Sequence, residues 1–71
     1  MNAERRVFQF SMIQEGSYDP EARTLEITFI NGQTYQAEDV PQVVWDGLKQ
    51  ATSPGRHFRQ AIRPLFNFRK S

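Results

Sequence analysis

The stretch from Thr24 to Ile30, followed at once by Asn31-Gly32, constrains the fold more than any other part of the chain. Leu25, Ile27 and Phe29 fall on one face and Glu26 and Thr28 on the other, the period-two pattern of a strand with one buried side. Asn31-Gly32 marks a hairpin, and the loop type decides its register. A two-residue turn pairs Phe29 with Thr34 and sends Tyr35 across from Thr28, on the polar face. A three-residue loop, with Gly32 as the left-handed bulge residue, pairs Phe29 with Gln33, so that Tyr35 meets Ile27 and Ala37 meets Leu25. A slip of one residue flips every side chain to the other face, and only the second register gathers the apolar residues. It is therefore the register expected, with Tyr35 in the core.

Upstream, Val7 to Ile13 has strand character, with Phe8, Phe10 and Met12 on one parity, and Gly16 is the expected site of a bend or bulge. Asp19-Pro20 opens a turn. After Asp39 the period changes. Pro41 suits a first helical position, with Asp39 or Glu38 near the helix N-terminus, and Val44, Trp45, Leu48 and Ala51 form one apolar stripe. Gly47 weakens this helix by about 1 kcal/mol relative to alanine, which suggests close approach of another element. Ser53-Pro54 reads as a second cap followed by a first helical position. Phe58, Ile62 and Leu65 then share a core face, and Pro64 ends or kinks the helix near Arg63. The expected fold is α+β: a three-stranded antiparallel β-meander followed by two short helices packed on one face. It forms one domain, with its core over about residues 7–66 and flexible ends at 1–6 and 67–71.

The 71 residues include no cysteine, which removes disulfides, a thiolate nucleophile and thiolate metal ligands. A chain this short buries only about 60% of its unfolded surface, leaving little room for a deep substrate cavity. No signal-peptide pattern and no membrane-length apolar run occur, so a cytoplasmic location with no membrane partner is expected. Charge is unevenly laid out. Residues 1–46 carry all eight acids, and residues 47–71 carry Lys49, Arg56, Arg59, Arg63, Arg69 and Lys70 with none.

Several spaced residues carry a family resemblance. They are Ser11-x-Ile13, Tyr18-Asp19, Leu25-x-x-x-Phe29, Gly32-x-x-Tyr35, Val40-Pro41 and Ala51-x-Ser53-x-Gly55-x-x-Phe58-x-x-x-Ile62-Arg63. Together, over roughly residues 9–66, they resemble the KTSC domain, a small bacterial module found alone and at the C-terminus of some lysyl-tRNA synthetases. The family's Tyr-x-Tyr is half present, because Tyr35-Gln36-Ala37 has alanine at its second position, so any stacking there is lost. The synthetase context implies RNA as a ligand and equally allows a protein contact.

On an α-helix Arg56, Arg59 and Arg63 lie within about 60° of one another, opposite Phe58, Ile62 and Leu65. Arginine suits phosphate because its planar fork donates two parallel hydrogen bonds. Lys49, Arg69 and Lys70 are candidate extensions of this patch, and His57 is a candidate for stacking on a base. The plain alternative is a solvated basic face, or one cancelled by the acids of the first half. Tyr18, Tyr35 and Trp45 read as core, with the Trp45 indole N–H near the surface. Phe66 and Phe68 either fold back onto the domain or form an exposed patch. Catalysis is not expected, because the single histidine has no evident nucleophile or orienting carboxylate; no metal or cofactor is expected either. Two readings result: a non-catalytic module binding RNA or another polyanion, or a protein-interaction module. The second would use the aromatic tail, a sheet edge or the acidic face.

Overall fold

Five antiparallel strands form one sheet in sequence order: β1 (Glu4–Val7), β2 (Ile13–Asp19), β3 (Thr24–Phe29), β4 (Thr34–Ala37) and β5 (Arg69–Lys70). The computed structural model describes residues 3–9 and 11–70. Phe10, which the alternation placed with Phe8 and Met12, lies outside the described residues. Helix α1 (Gln42–Gln50) follows β4, and α2 (Pro54–His57) runs on as a π-helix over Phe58–Ile62 and a 3-10 turn over Arg63–Leu65. The class is the α+β fold expected, and the expected three-stranded meander corresponds to β2–β3–β4. Its first strand is displaced: the stretch expected as strand from Val7 to Ile13 is mostly the loop between β1 and β2, and β2 starts only at Ile13. Two strands were not anticipated, at the ends expected to be flexible. All four residues of β1 are exposed, and β5 has only two residues. Neither carries an alternating apolar pattern, so neither announces itself.

The β3–β4 hairpin takes the bulged register. Leu25 pairs with Ala37 and Ile27 with Tyr35. Phe29 N–H donates to the Gln33 carbonyl at 2.8 Å, and Gly32 has φ +90°. Asn31 Oδ1 accepts from Gln33 N–H at 3.0 Å, which holds the loop. In the β2–β3 turn Asp19 Oδ1 accepts from the N–H groups of Glu21 and Ala22. Arg23 closes that turn at φ 56°.

Gly16 does not mark the bulge. The register shift lies between Ile13 and Glu15, while Gly16 sits in regular pairing opposite Ile27. Its real role is space: a Cβ there would lie 2.9 Å from the Trp45 ring and 3.3 Å from Ile27 and Phe8. Trp45 rests flat over the sheet through this gap, with its ring stacked 6.2 Å from Tyr18. It is fully buried, and its indole N–H donates to Glu4 Oε1 at 2.9 Å. Tyr18 is buried as well, its hydroxyl donating to the Val40 carbonyl. The core is one cluster of these rings with Phe8, Ile13, Leu25, Ile27, Ala37, Val40, Leu48, Phe58 and Ile62.

The helix starts differ from expectation in detail. Pro41 stands one residue before α1, and Asp39 adopts φ 61°, so no acid occupies the first turn. Ser53 holds the N-cap position of α2 and Pro54 the first helical position, but the Ser53 hydroxyl caps nothing. Instead Ser11, from the loop between β1 and β2, accepts from Gly55 N–H and Ile13 N–H, each at 3.1 Å.

Leu65, expected on the core face, is 73% exposed. Pro64 lacks an N–H and crowds the carbonyl four residues back. The turn before it opens, with Arg63 N–H donating to the Phe58 carbonyl five residues away, and then tightens to 3-10. This change of pitch carries Leu65 off the core side. Phe66 and Phe68 close the gap, both half-buried against the core, with Phe68 edge-on to Phe58 at 5.0 Å.

Candidate nucleic-acid interface

Residues directly opposite in paired strands share a sheet face. One row runs Arg6, Gly16, Ile27, Tyr35, Lys70, on the helix-covered side with the core. The neighbouring row on the other face runs Arg5, Ser17, Glu26, Gln36, Arg69. Among the described residues paired in the sheet, that outer face carries no aromatic ring, so it offers no base-stacking platform. Tyr35, expected in the core, is only half-buried. It lies at the margin, edge-on to Phe29, with its hydroxyl donating to Gln33 and the Arg63 guanidinium 5.7 Å above its ring.

The candidate cations separate into two groups. Lys49 does not join the arginines of the second helical run. Its ammonium donates to Glu4 Oε2 at 2.6 Å, lies 3.6 Å from Asp46 and sits 5.5 Å from the Trp45 ring centroid. Lys49 and the Trp45 indole together hold the Glu4 carboxyl below its ordinary pKa, the lysine contact being the larger cause. Arg69 turns to the outer face and pairs with Glu38 at 3.1 Å. Arg5 pairs with Glu15 at 2.8 Å.

Arg56, Arg59 and Arg63 are exposed, and among the described residues none has a carboxylate partner. They border one trough between the Ser11-Met12 segment and the second helical run. Its deeper part, about 180 Å³, is lined by Met12, Phe29, Gly55, Phe58, Arg59 and Arg63. Its shallower part shares Met12, Gly55 and Arg59 and adds Ser11, Ser53 and Arg56. Lys70 stands across from Tyr35, at the Arg63 end. His57 is half-buried outside the trough, in a hollow with Ala51, Thr52 and Gln60 and facing Gly47.

The trough exists because Gly55 lets the Ser11-Met12 segment come close. A Cβ at Gly55 would stand 3.3 Å from Ser11 Oγ and 3.4 Å from the Met12 backbone nitrogen and Cβ. Reading the sequence alone gave Met12 no role beyond sharing a parity with Phe8 and Phe10, and it is 54% exposed. Ser11 and Gly55 both belong to the motif residues of the resemblance, which carried no role for them.

Comparison with known proteins matches this arrangement to a family. The family model described as the KTSC domain matches residues 10–66. An uncharacterized protein of Stutzerimonas stutzeri is 42% identical over 60 residues, covering 84% of each chain. A lysine–tRNA ligase of Nostoc punctiforme is 38% identical over 58 residues, 82% of this chain and 10% of that enzyme. The crystal structure of a KTSC domain protein from Yersinia pestis superposes with a TM-score of 0.86 at 37% identity, over 99% of both chains. The chain belongs to the KTSC domain family.

Proposed function

We propose that this protein is a non-catalytic binding module for RNA or a similar polyanion, held through Arg56, Arg59 and Arg63. One observation carries the reading. Arg5, Lys49 and Arg69 are each met by a carboxylate, whereas the three arginines of the second helical run share one trough and meet none among the described residues. A cluster of forked donors left to solvent in this way suits phosphate, whose oxygens accept two parallel hydrogen bonds from each guanidinium. Lys70 extends the patch at the Arg63 end. Lys49, Arg69 and His57 stand outside it. A lysine–tRNA ligase carries a matching segment, which makes tRNA the first RNA to try.

The protein-contact alternative through Phe66 and Phe68 has less to stand on, since both rings are half-buried against the core. Fluorescence anisotropy of labelled tRNA and single-stranded RNA at several salt concentrations tests the proposal. Neutralising three phosphates gives a log–log salt slope near −2 on single strands, at about 0.7 per phosphate. Joint charge reversal of Arg56, Arg59 and Arg63 abolishes binding while the circular dichroism stays native. Binding that ignores salt, or survives the triple reversal, refutes it.

A further inference from the structure

We infer that the trough takes one unpaired nucleotide of an RNA strand, with its base against Met12 and its phosphate on Arg59 and Arg63. The inference rests on the polyanion reading and goes further, because it concerns the apolar part of the trough rather than its charge. Met12 is a large side chain left 54% exposed, and it lines the same hollow as Phe29 and Phe58, whose rings meet edge-on at 5.6 Å. A purely electrostatic surface has no use for an apolar floor between its cations. A thioether offers a polarizable contact for a flat heterocycle, and such a contact is sequence-tolerant because every base has a π-face.

The charge around this floor is all of one sign. Arg59 and Arg63 border the deeper part and Arg56 the shallower part, and no carboxylate of the described residues lines either. An acidic ligand with a planar apolar portion is therefore the complementary occupant, and a nucleotide joins those two properties in one unit. At about 180 Å³ the deeper part is of a size for one base. A duplex hides its bases in the stack and presents phosphates alone, so it engages the arginines and leaves the floor uncovered. Single strands, loops and ends have bases free to turn aside. The module therefore favours unpaired RNA over duplex at equal phosphate number.

The test uses three probes of nearly equal phosphate number on the full chain: a single-stranded RNA hexadecamer, a duplex of two RNA octamers, and a hexadecamer of abasic units. Binding is read by anisotropy and by the methyl resonance of Met12. Met1 and Met12 are the only methionines, so Met12→Ala assigns the signal. The single strand should bind about two- to tenfold more tightly than the abasic strand, the range spanned by one sulfur–aromatic contact. Its bases should shift the Met12 methyl upfield, and Met12→Ala should remove the advantage without changing affinity for the abasic strand. Equal, salt-graded binding of all three probes with an unmoved Met12 methyl overturns the inference and leaves the polyanion reading standing. No binding of any probe at low salt overturns both.

Discussion

The two helices of this protein put their cations to opposite uses. Along α1, Lys49 lies over Trp45 and grips Glu4, tying an exposed edge strand to the helix-covered face. Along the second run, among the described residues, Arg56 and Arg59 pair with no acid, and Arg63 stands over the Tyr35 ring. The backbones differ in the same sense. α1 is regular through all nine residues, whereas the second run passes from α to π to 3-10 within twelve positions. Widened turns are often found at functional sites. Here the widening before Pro64 releases Leu65 from the core and leaves Arg63 over the sheet margin. The regular helix ties its cation into the fold, and the irregular one leaves its arginines exposed along the trough.

Overfilling the contact that seats α1 should break this contrast most severely. Gly16→Ala drives a methyl into Trp45, Ile27 and Phe8 and should cost about 1–3 kcal/mol, as overpacking does. An unchanged urea midpoint would show that the Trp45 seat has slack. Gly47→Ala acts in the opposite direction. Gly47 was expected to admit close approach of a neighbour, but an added Cβ would meet only His57 Nε2 at 3.7 Å, an ordinary contact. The substitution should raise stability by about 0.5–1 kcal/mol through helix propensity, read as a higher melting temperature. A loss would mean that α1 needs the glycine after all.

Acid should loosen the clasp between β1 and α1. The folded pKa of Glu4 is lowered, chiefly by Lys49 and then by Trp45. Its contribution is therefore complete above the ordinary carboxyl range and is lost as pH falls through the lowered value. Glu4→Gln should destabilise modestly at neutral pH, and its urea midpoint should converge with wild type in acid. Parallel curves at both pH values would assign the acid sensitivity to other carboxylates. The smallest effect on folding belongs to the second run. Arg59→Glu should change stability by no more than about 0.5 kcal/mol while weakening RNA binding. A large stability loss would place Arg59 among the structural cations with Lys49.

Much of this division was legible beforehand. Alternation from Leu25 to Phe29 with Gly32 identified the hairpin and its register, because only one pairing buries the apolar set. The spacing of Trp45 and Leu48 identified the buried stripe of α1, and Pro64 located the break in the second run. Other features escaped. β1 and β5 are edge strands whose side chains are mostly exposed and follow no apolar alternation. Gly16 looked like a bulge, because a sequence does not reveal that a tryptophan 29 positions on will lie across it. Ser11 looked like a strand residue, yet its hydroxyl caps α2 from a distant loop.

The sequence by itself determined the fold class, the central hairpin register and the arginine spacing, since these depend on local periodicity and on residues near one another along the chain. Only the tertiary structure decided which cations remain open. Lys49 and Arg69 belonged to the same basic segment as the arginines, and what separates them is the position of Glu4 and Glu38 after folding. Met12 became part of a trough for the same kind of reason. Charge pairing and burial are properties of neighbours in space, and the Lys49–Glu4, Gly55–Ser11 and Arg69–Glu38 contacts join residues 45, 44 and 31 positions apart.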